Sequence, residues 1–332
     1  MNKLLSKNLF QLFTTSKRHY QVTVAGGASD VGQTLCLLLR TEPAITRLVI
    51  HDSKAHTPGV VLDVSHIPGE VQVQGYTGDD TLDLALKNAH VVIAAGGLVR
   101  KPGIPEKLWL SNNTAFIKTL SMRVAKMNPA PFLGIITEPI NCLVPIATEV
   151  LTNNGTYDPR KLFGITGVDA LRAQTLYADE NNISARNCIV PVIGGHSENT
   201  LIPLLSQSHP ASPTLDAKMS QDFTLKYRKF DEKIINAKRG HSPVLSVAYS
   251  ALLFTRSVLN ALDGRRARVH AFIENNDFGT AYFGGLVDIN NEGVKEMIRY
   301  TTLTEYECQL LEQSFQELRK DVLKGKKVLE LT

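Results

Sequence analysis

From Val22 onward, short runs of β-branched and other apolar residues alternate with longer stretches in which apolar positions recur at helical spacing. The runs at 22–25, 47–50, 71–73, 90–95 and 132–137 predict strands. Between them, 31–40, 82–88 and 107–127 predict helices, with Leu108, Phe116 and Leu120 as candidates for a core-facing stripe. Strands that are apolar throughout and separated by helices imply a parallel sheet covered on both faces, a doubly wound α/β arrangement. After a further strand at 162–165 the rhythm changes: long helices are predicted at 216–238, 243–262 and 304–328, with strands at 268–273 and 280–283. The pattern therefore divides into a first domain over 21–165 and a second, α+β domain over 166–332.

The first predicted strand runs into Gly26-Gly27-Ala28-Ser29-Asp30-Val31-Gly32 and then a helix. Glycines in such a turn let the backbone approach a pyrophosphate, which sits at the positive end of the helix. Asp52 closes the next strand 20 residues after Gly32, where a carboxylate accepts both ribose hydroxyls of an adenosine and repels a 2′-phosphate. Together these point to a Rossmann-type domain that takes NAD rather than NADP. Gly96 to Gly103 follow another strand's carboxyl end, where open α/β sheets bind ligands, and Arg100 within them suits a carboxylate. Asp169 and Arg172, three apart at a helix start, point the same way. His196 follows two glycines after a strand. An imidazole paired with a carboxylate exchanges a proton with a substrate hydroxyl, and an arginine beside it fixes a carboxylate.

With 332 residues, 43% hydrophobic and 20% charged, the chain has the apolar content of a folded two-domain protein. The net charge of +4 resides in Lys3, Lys7, Lys17 and Arg18, so the remainder gives no reason to expect nucleic acid. The first 20 residues lack any acid and combine those charges with leucines, phenylalanines, Ser and Thr, the composition of a mitochondrial transit peptide; the expected compartment is the matrix. No uncharged apolar span of membrane length is read, so no membrane partner is expected. Cys36, Cys142, Cys188 and Cys308 lie far apart, without metal-ligand spacing, so neither a disulfide framework nor a metal site is expected.

Several blocks in order carry a closer resemblance: Gly32-Gln33-Thr34-Leu35-Cys36, His56-Thr57-Pro58-Gly59-Val60, Asp63-Val64-Ser65-His66, Arg100-Lys101-Pro102-Gly103, Leu162-Phe163-Gly164-Ile165-Thr166 and Pro191-Val192-Ile193-Gly194-Gly195-His196. From about Val22 to Val328 the chain resembles the mitochondrial-type NAD-dependent malate dehydrogenases of the lactate/malate dehydrogenase superfamily. The resemblance implies a homodimeric enzyme that interconverts malate and oxaloacetate. It makes His196 the proton donor and acceptor, Asp169 its orienting partner, and Arg100 and Arg172 the holders of substrate carboxylates. Gly26, Ser29, Asp30, Gly32, Asp52, Asn113, Thr137 and Val247 fall at cofactor positions, and Glu106 and Glu138 at substrate positions.

Four departures from the family pattern fall on the site. Ser29 and Asp30 replace two glycines: the serine offers a hydroxyl to a phosphate, whereas the aspartate competes with a bound anion at the helix end. Glu106 stands where the family's mobile loop has a second arginine, a charge reversal expected to weaken oxaloacetate turnover by roughly 10²- to 10⁵-fold. Glu138 replaces a substrate-contacting asparagine and is expected to pair with Arg100 or Arg172. The segment 237–243 is one residue shorter than its family counterpart. Two readings follow: a dehydrogenase with weak malate activity or a shifted 2-keto acid preference, or a catalytically impaired paralog acting as a structural or dimer-partner protein.

Overall fold

The computed structural model describes residues 20–211 and 216–331. The first domain alternates as the hydrophobic pattern requires: β1 (Tyr20–Ala25), α1 (Asp30–Arg40), β2 (Ile45–Asp52), α2 (Thr57–Ser65), β3 (Gln72–Thr77), α3 (Leu82–Leu86), β4 (Val91–Ala94), α4 (Glu106–Val124), β5 (Phe132–Ile135), α5 (Ile140–Asn153) and β6 (Leu162–Ile165). These strands lie parallel in the order β3-β2-β1-β4-β5-β6. Every residue of β1, β4, β5 and β6 is buried, as expected for strands covered by helices on both faces. The strand order reverses between β1 and β4, which opens a crevice at the strands' carboxyl ends.

The sheet does not stop at β6. It continues antiparallel through β9 (Ala267–Glu274) and β10 (Tyr282–Asn290) to β7 (Val192–Gly194) and β8 (Leu201–Pro203), with β11 (Gly293–Met297) on the far side of β10. Helices α6 (Gly167–Asn181), α7 (Ala217–Arg228), α8 (Phe230–Ala237), α9 (Leu245–Leu262) and α10 (Glu305–Leu331) complete the second half. By length and composition α9 is apolar enough to span a membrane, but more than half of it is buried against α1, α6 and β9, the environment of a core helix.

Several expectations need correction. The predicted transit peptide lies outside the described residues except for Tyr20, which is the buried first residue of β1 and donates from its hydroxyl to Asp263 (2.8 Å). Leu108 is 51% exposed, because the core stripe of α4 runs through Leu110, Asn113, Ile117, Leu120 and Val124 and two residues back along a helix is a rotation of about 200°. The single helix predicted over 216–238 breaks at Lys229: α7 buries Phe223 and Tyr227, whereas α8 buries no side chain. Helix α5 escaped the pattern reading because it carries Pro145 in its interior, where proline ordinarily argues against a helix.

Two close approaches shape the crevice. Gly26 adopts φ +83°, and a Cβ there would lie 2.1 Å from the Gly96 backbone, so the β1 and β4 turns meet at a distance only glycine permits. Ser29 caps α1 by accepting from the Gly32 N–H (2.9 Å) while donating to the Ala95 carbonyl (2.6 Å). It thereby ties the first turn of α1 to the end of β4. Ser29→Ala should lower stability by about 1–2 kcal/mol through loss of the cap and of a buried carbonyl's donor. Urea unfolding checks this, and an unchanged midpoint would show that the tie is dispensable.

Candidate active site

Strand β6 delivers Asp169 into the first turn of α6, where it is 2% exposed. Strand β7 ends in Gly194 at φ +105°, whose backbone turn brings His196 onto the same spot. His196 Nδ1 donates to Asp169 Oδ2 at 2.6 Å, which leaves Nε2 3.6 Å from Glu138 Oε1. Asn141 fixes the loop: its Oδ1 accepts from the His196 N–H (2.8 Å) and its amide donates to Asp321 (2.9 Å). Tyr227 adds a hydrogen bond to the Asp169 carbonyl (3.1 Å). Burial opposes a charge on His196, but the Asp169 carboxylate and then Glu138 outweigh it and hold the imidazole well above its usual range. Glu138 shows the mirror effect: burial raises its carboxyl, and His196, Arg172 and Arg100 bring it below the usual value.

Two adjoining chambers meet at this point. One, ≈ 940 Å³ with its open mouth, is lined by Ser29, Gly96, Gly97, Thr137, Glu138 and Val247 among others. The second, ≈ 970 Å³, is lined by His196, Glu106, Cys142, Asp321 and Lys324 among others, and both share Arg100, Trp109, Glu138 and Asp231. Burial pushes the Cys142 thiol up to about 12, so it stays a protonated wall residue.

The charged residues are arranged differently from expectation. Glu138 meets His196 rather than Arg100 or Arg172, because Asp231 of α8 already occupies Arg172 (Nη2 to Oδ1, 2.6 Å). Glu106 pairs with Lys324 of α10. Arg100 makes no ion pair among the described residues, and its guanidinium lies over the Trp109 ring, 5.2 Å from the centroid. The Ser29 hydroxyl has no proton left for a phosphate, since it donates to Ala95. Asp30 is exposed in the first turn of α1. Asn113 is buried and fully used, accepting from the Leu98 N–H (2.6 Å) and donating to the Glu138 carbonyl (2.6 Å), so it braces the cleft's rim from behind. Asp231, Trp109, Asn141 and Lys324 were not singled out in the sequence. Only Trp109, the sole tryptophan, carried any signal there.

The first chamber opens beside the turn that carries Ser29 and the facing glycines of the β4 turn. A Cβ at Gly32 would strike Gly26 O at 2.2 Å, and Gly97, at φ +92°, holds open the opposite rim. Asp52 lies buried at the end of β2, where its Oδ2 accepts from Ala28 N (3.0 Å) and steadies the glycine turn. Thr137 donates to the Gly96 carbonyl (2.9 Å) and, with Val247, forms the inner wall toward His196.

Two family descriptions cover almost the whole described chain: "lactate/malate dehydrogenase, NAD binding domain" matches residues 20–164, and "lactate/malate dehydrogenase, alpha/beta C-terminal domain" matches 166–329. Among curated relatives, the malate dehydrogenase of Glaesserella parasuis is 38% identical over 310 residues, covering 92% of this chain and 98% of its own. Malate dehydrogenase 2, mitochondrial, of Arabidopsis thaliana is 36% identical over 307 residues, covering 92% and 89%. Among solved structures, the malate dehydrogenase of Cryptosporidium parvum superimposes with a TM-score of 0.80 at 21% identity, covering 93% of this chain and 100% of that one. The lactate dehydrogenase of Eimeria maxima with NADH and oxamate gives 0.81 at 21% identity, covering 95% and 96%.

The two carboxylates around His196 make its titration a direct test of the geometry. An NMR titration of the ring should place its midpoint well above 6.5, and Glu138→Gln should move it down by removing one of the two anions. Because the folded value exceeds the unfolded one, the stability gained from this charge is complete below about pH 6.5 and is lost as pH rises through the folded midpoint. A midpoint at 6.5 in the unaltered protein would contradict the arrangement.

Proposed function

The chain belongs to the lactate/malate dehydrogenase family and is an NAD-dependent oxidoreductase, and from that premise we propose that it is a malate dehydrogenase, reversibly exchanging hydride between malate or a related 2-hydroxy acid and NAD. The observation that carries this reading is His196, anchored at Nδ1 by Asp169, with Nε2 on the Glu138 side of a cleft whose adjoining chamber is lined by Ser29, Gly96 and Gly97. In it, residues 21–165 form the NAD-binding domain and 166–332 the substrate domain.

When bound, NAD would supply the hydride acceptor or donor, held along Gly26, Ser29, Gly32 and Asp52, with Thr137 and Val247 on the inner side, Asn113 bracing the rim from behind and Asp30 at the helix end beside the phosphates. The chain's own residues manage charge and protons. Arg100 and Arg172 hold the substrate carboxylate, and Glu106 and Glu138 border the substrate. His196 gives its Nε2 proton to the carbonyl oxygen as that oxygen gains negative charge, while Asp169 stabilises the imidazole in its charged form and fixes which nitrogen carries the proton. Since two carboxylates favour the charged imidazole, keto acid reduction is the direction this site is prepared for.

We place the protein in the mitochondrial matrix on the composition of its first 20 residues, a reading in keeping with the mitochondrial name of the Arabidopsis relative. A homodimer is supported by Leu37, Leu62, Leu245 and Tyr249, large and exposed on the neighbouring helices α1, α2 and α9. The second reading, an impaired paralog serving as a dimer partner, draws on the pairing of Arg172 with Asp231 and on the charge reversal at Glu106.

Oxaloacetate-dependent NADH oxidation by the full chain, with His196→Asn as blank, separates the two. Turnover should exceed the blank by about 10²-fold or more, and Glu106→Arg combined with Glu138→Asn should raise it by about a further 10²-fold. Turnover no greater than the blank at saturating NADH would remove malate dehydrogenase activity and leave the second reading.

A further inference from the structure

The cation assigned to the substrate carboxylate already has an anion of its own. Arg172 is 9% exposed at its side chain, and its Nη2 is held by Asp231 at 2.6 Å. Among the residues lining the two chambers, Asp231 belongs to both and Arg172 to neither. Asp231 therefore stands between the guanidinium and the space a substrate would fill. The Arg172 Nε–H and Asp231 Oδ1 are both buried without a hydrogen bond, so the two side chains meet as an ion pair and the guanidinium retains an unmet donor. Helix α8, which carries Asp231, buries no side chain, and its neighbouring contact is the exposed Lys229 bridge to Glu198 and Glu232.

We propose that Asp231 is a built-in competitor for the substrate carboxylate at Arg172, a residue that keeps the carboxylate subsite filled until a 2-keto acid displaces it. The inference rests on the reading of Arg172 as the carboxylate anchor. A substrate carboxylate can take the same guanidinium edge, because carboxylate and guanidinium pair through two parallel hydrogen bonds. It must, however, first displace a carboxylate tethered to the chain, whose local concentration is far above that of any free ligand. Binding is thereby weakened by the same factor for every carboxylate that must take Arg172, and not for a ligand held elsewhere. A substrate able to engage Arg100 or His196 as well recovers part of that loss. Asp231 thus sets a threshold: a carboxylate occupies Arg172 only where its other contacts outweigh that fixed cost.

The test uses oxamate, an amide isostere of a 2-keto acid that accepts no hydride, titrated calorimetrically into the NADH-saturated protein. Asp231→Asn keeps a hydrogen-bond acceptor for Arg172 but removes the competing charge, and should tighten oxamate binding by about ten- to a hundredfold. In turnover the change should lower KM for the keto acid more than it alters kcat. If Asp231 served only to position Arg172, the same substitution would loosen oxamate instead, so the sign of the effect decides. Asp231→Ser is the second variant, and for either the oxamate-induced shift in melting temperature reads binding even when the fold is weakened. Arg172→Ala separates the inference from its premise. Oxamate binding lost in Arg172→Ala but not tightened in the Asp231 variants overturns the competitor and leaves the anchor; binding unaffected by Arg172→Ala overturns both.

Discussion

The hydrogen-bonded pair of His196 and Asp169 forms because two segments 27 residues apart arrive at one point with their backbones already constrained. Asp169 comes from the first turn of α6, its carbonyl held by Tyr227, and His196 from a glycine turn whose N–H groups are taken by Thr200 and Asn141. Neither side chain has freedom to search. A carboxylate that is 2% exposed would carry a large desolvation cost unless a donor met it, and the imidazole meets it at 2.6 Å. Much of the second half of the chain, from α7 through Asn141's partner Asp321 on α10, serves to keep those two groups in register.

Around this pair the site is unusually rich in internal counter-charges. Glu138 faces the imidazole, Asp231 holds Arg172, and Glu106 holds Lys324. Each acid reduces the cost of burying or crowding its cation, and each also reduces what that cation offers an incoming anion. Arg100, stacked on Trp109, is the cation at the shared rim without an ion-pair partner among the described residues. The cleft therefore combines a buried imidazole–carboxylate pair with cations largely satisfied from within.

The cofactor side depends on backbone proximity rather than on charge. The turns after β1 and β4 touch at Gly26 and Gly96, and Ser29 bonds across the same seam. Ser29 is a structural tie, with its hydroxyl committed to the protein. Asp52 likewise serves two ends, since it steadies the glycine turn from the position expected to receive ribose hydroxyls.

Sequence alone determined the alternation of strands and helices in the first half, its parallel sheet, the glycine turn followed by Asp52, and the choice of Asp169, Arg172 and His196 as candidates. Those features are local: an apolar run, a period, a turn residue or a short spacing is written into neighbouring positions. Helix α5 was hidden because its interior Pro145 argues locally against a helix that packing nevertheless sustains, and the break at Lys229 because α7 and α8 face different surroundings that the chain does not announce. The partners of the charges were beyond sequence as well. Glu106 meets Lys324 across 218 positions, and Asp231 reaches Arg172 from another helix. Which acid meets which base is settled by the packing of distant elements, since an ion pair depends on separation in space and not on separation along the chain.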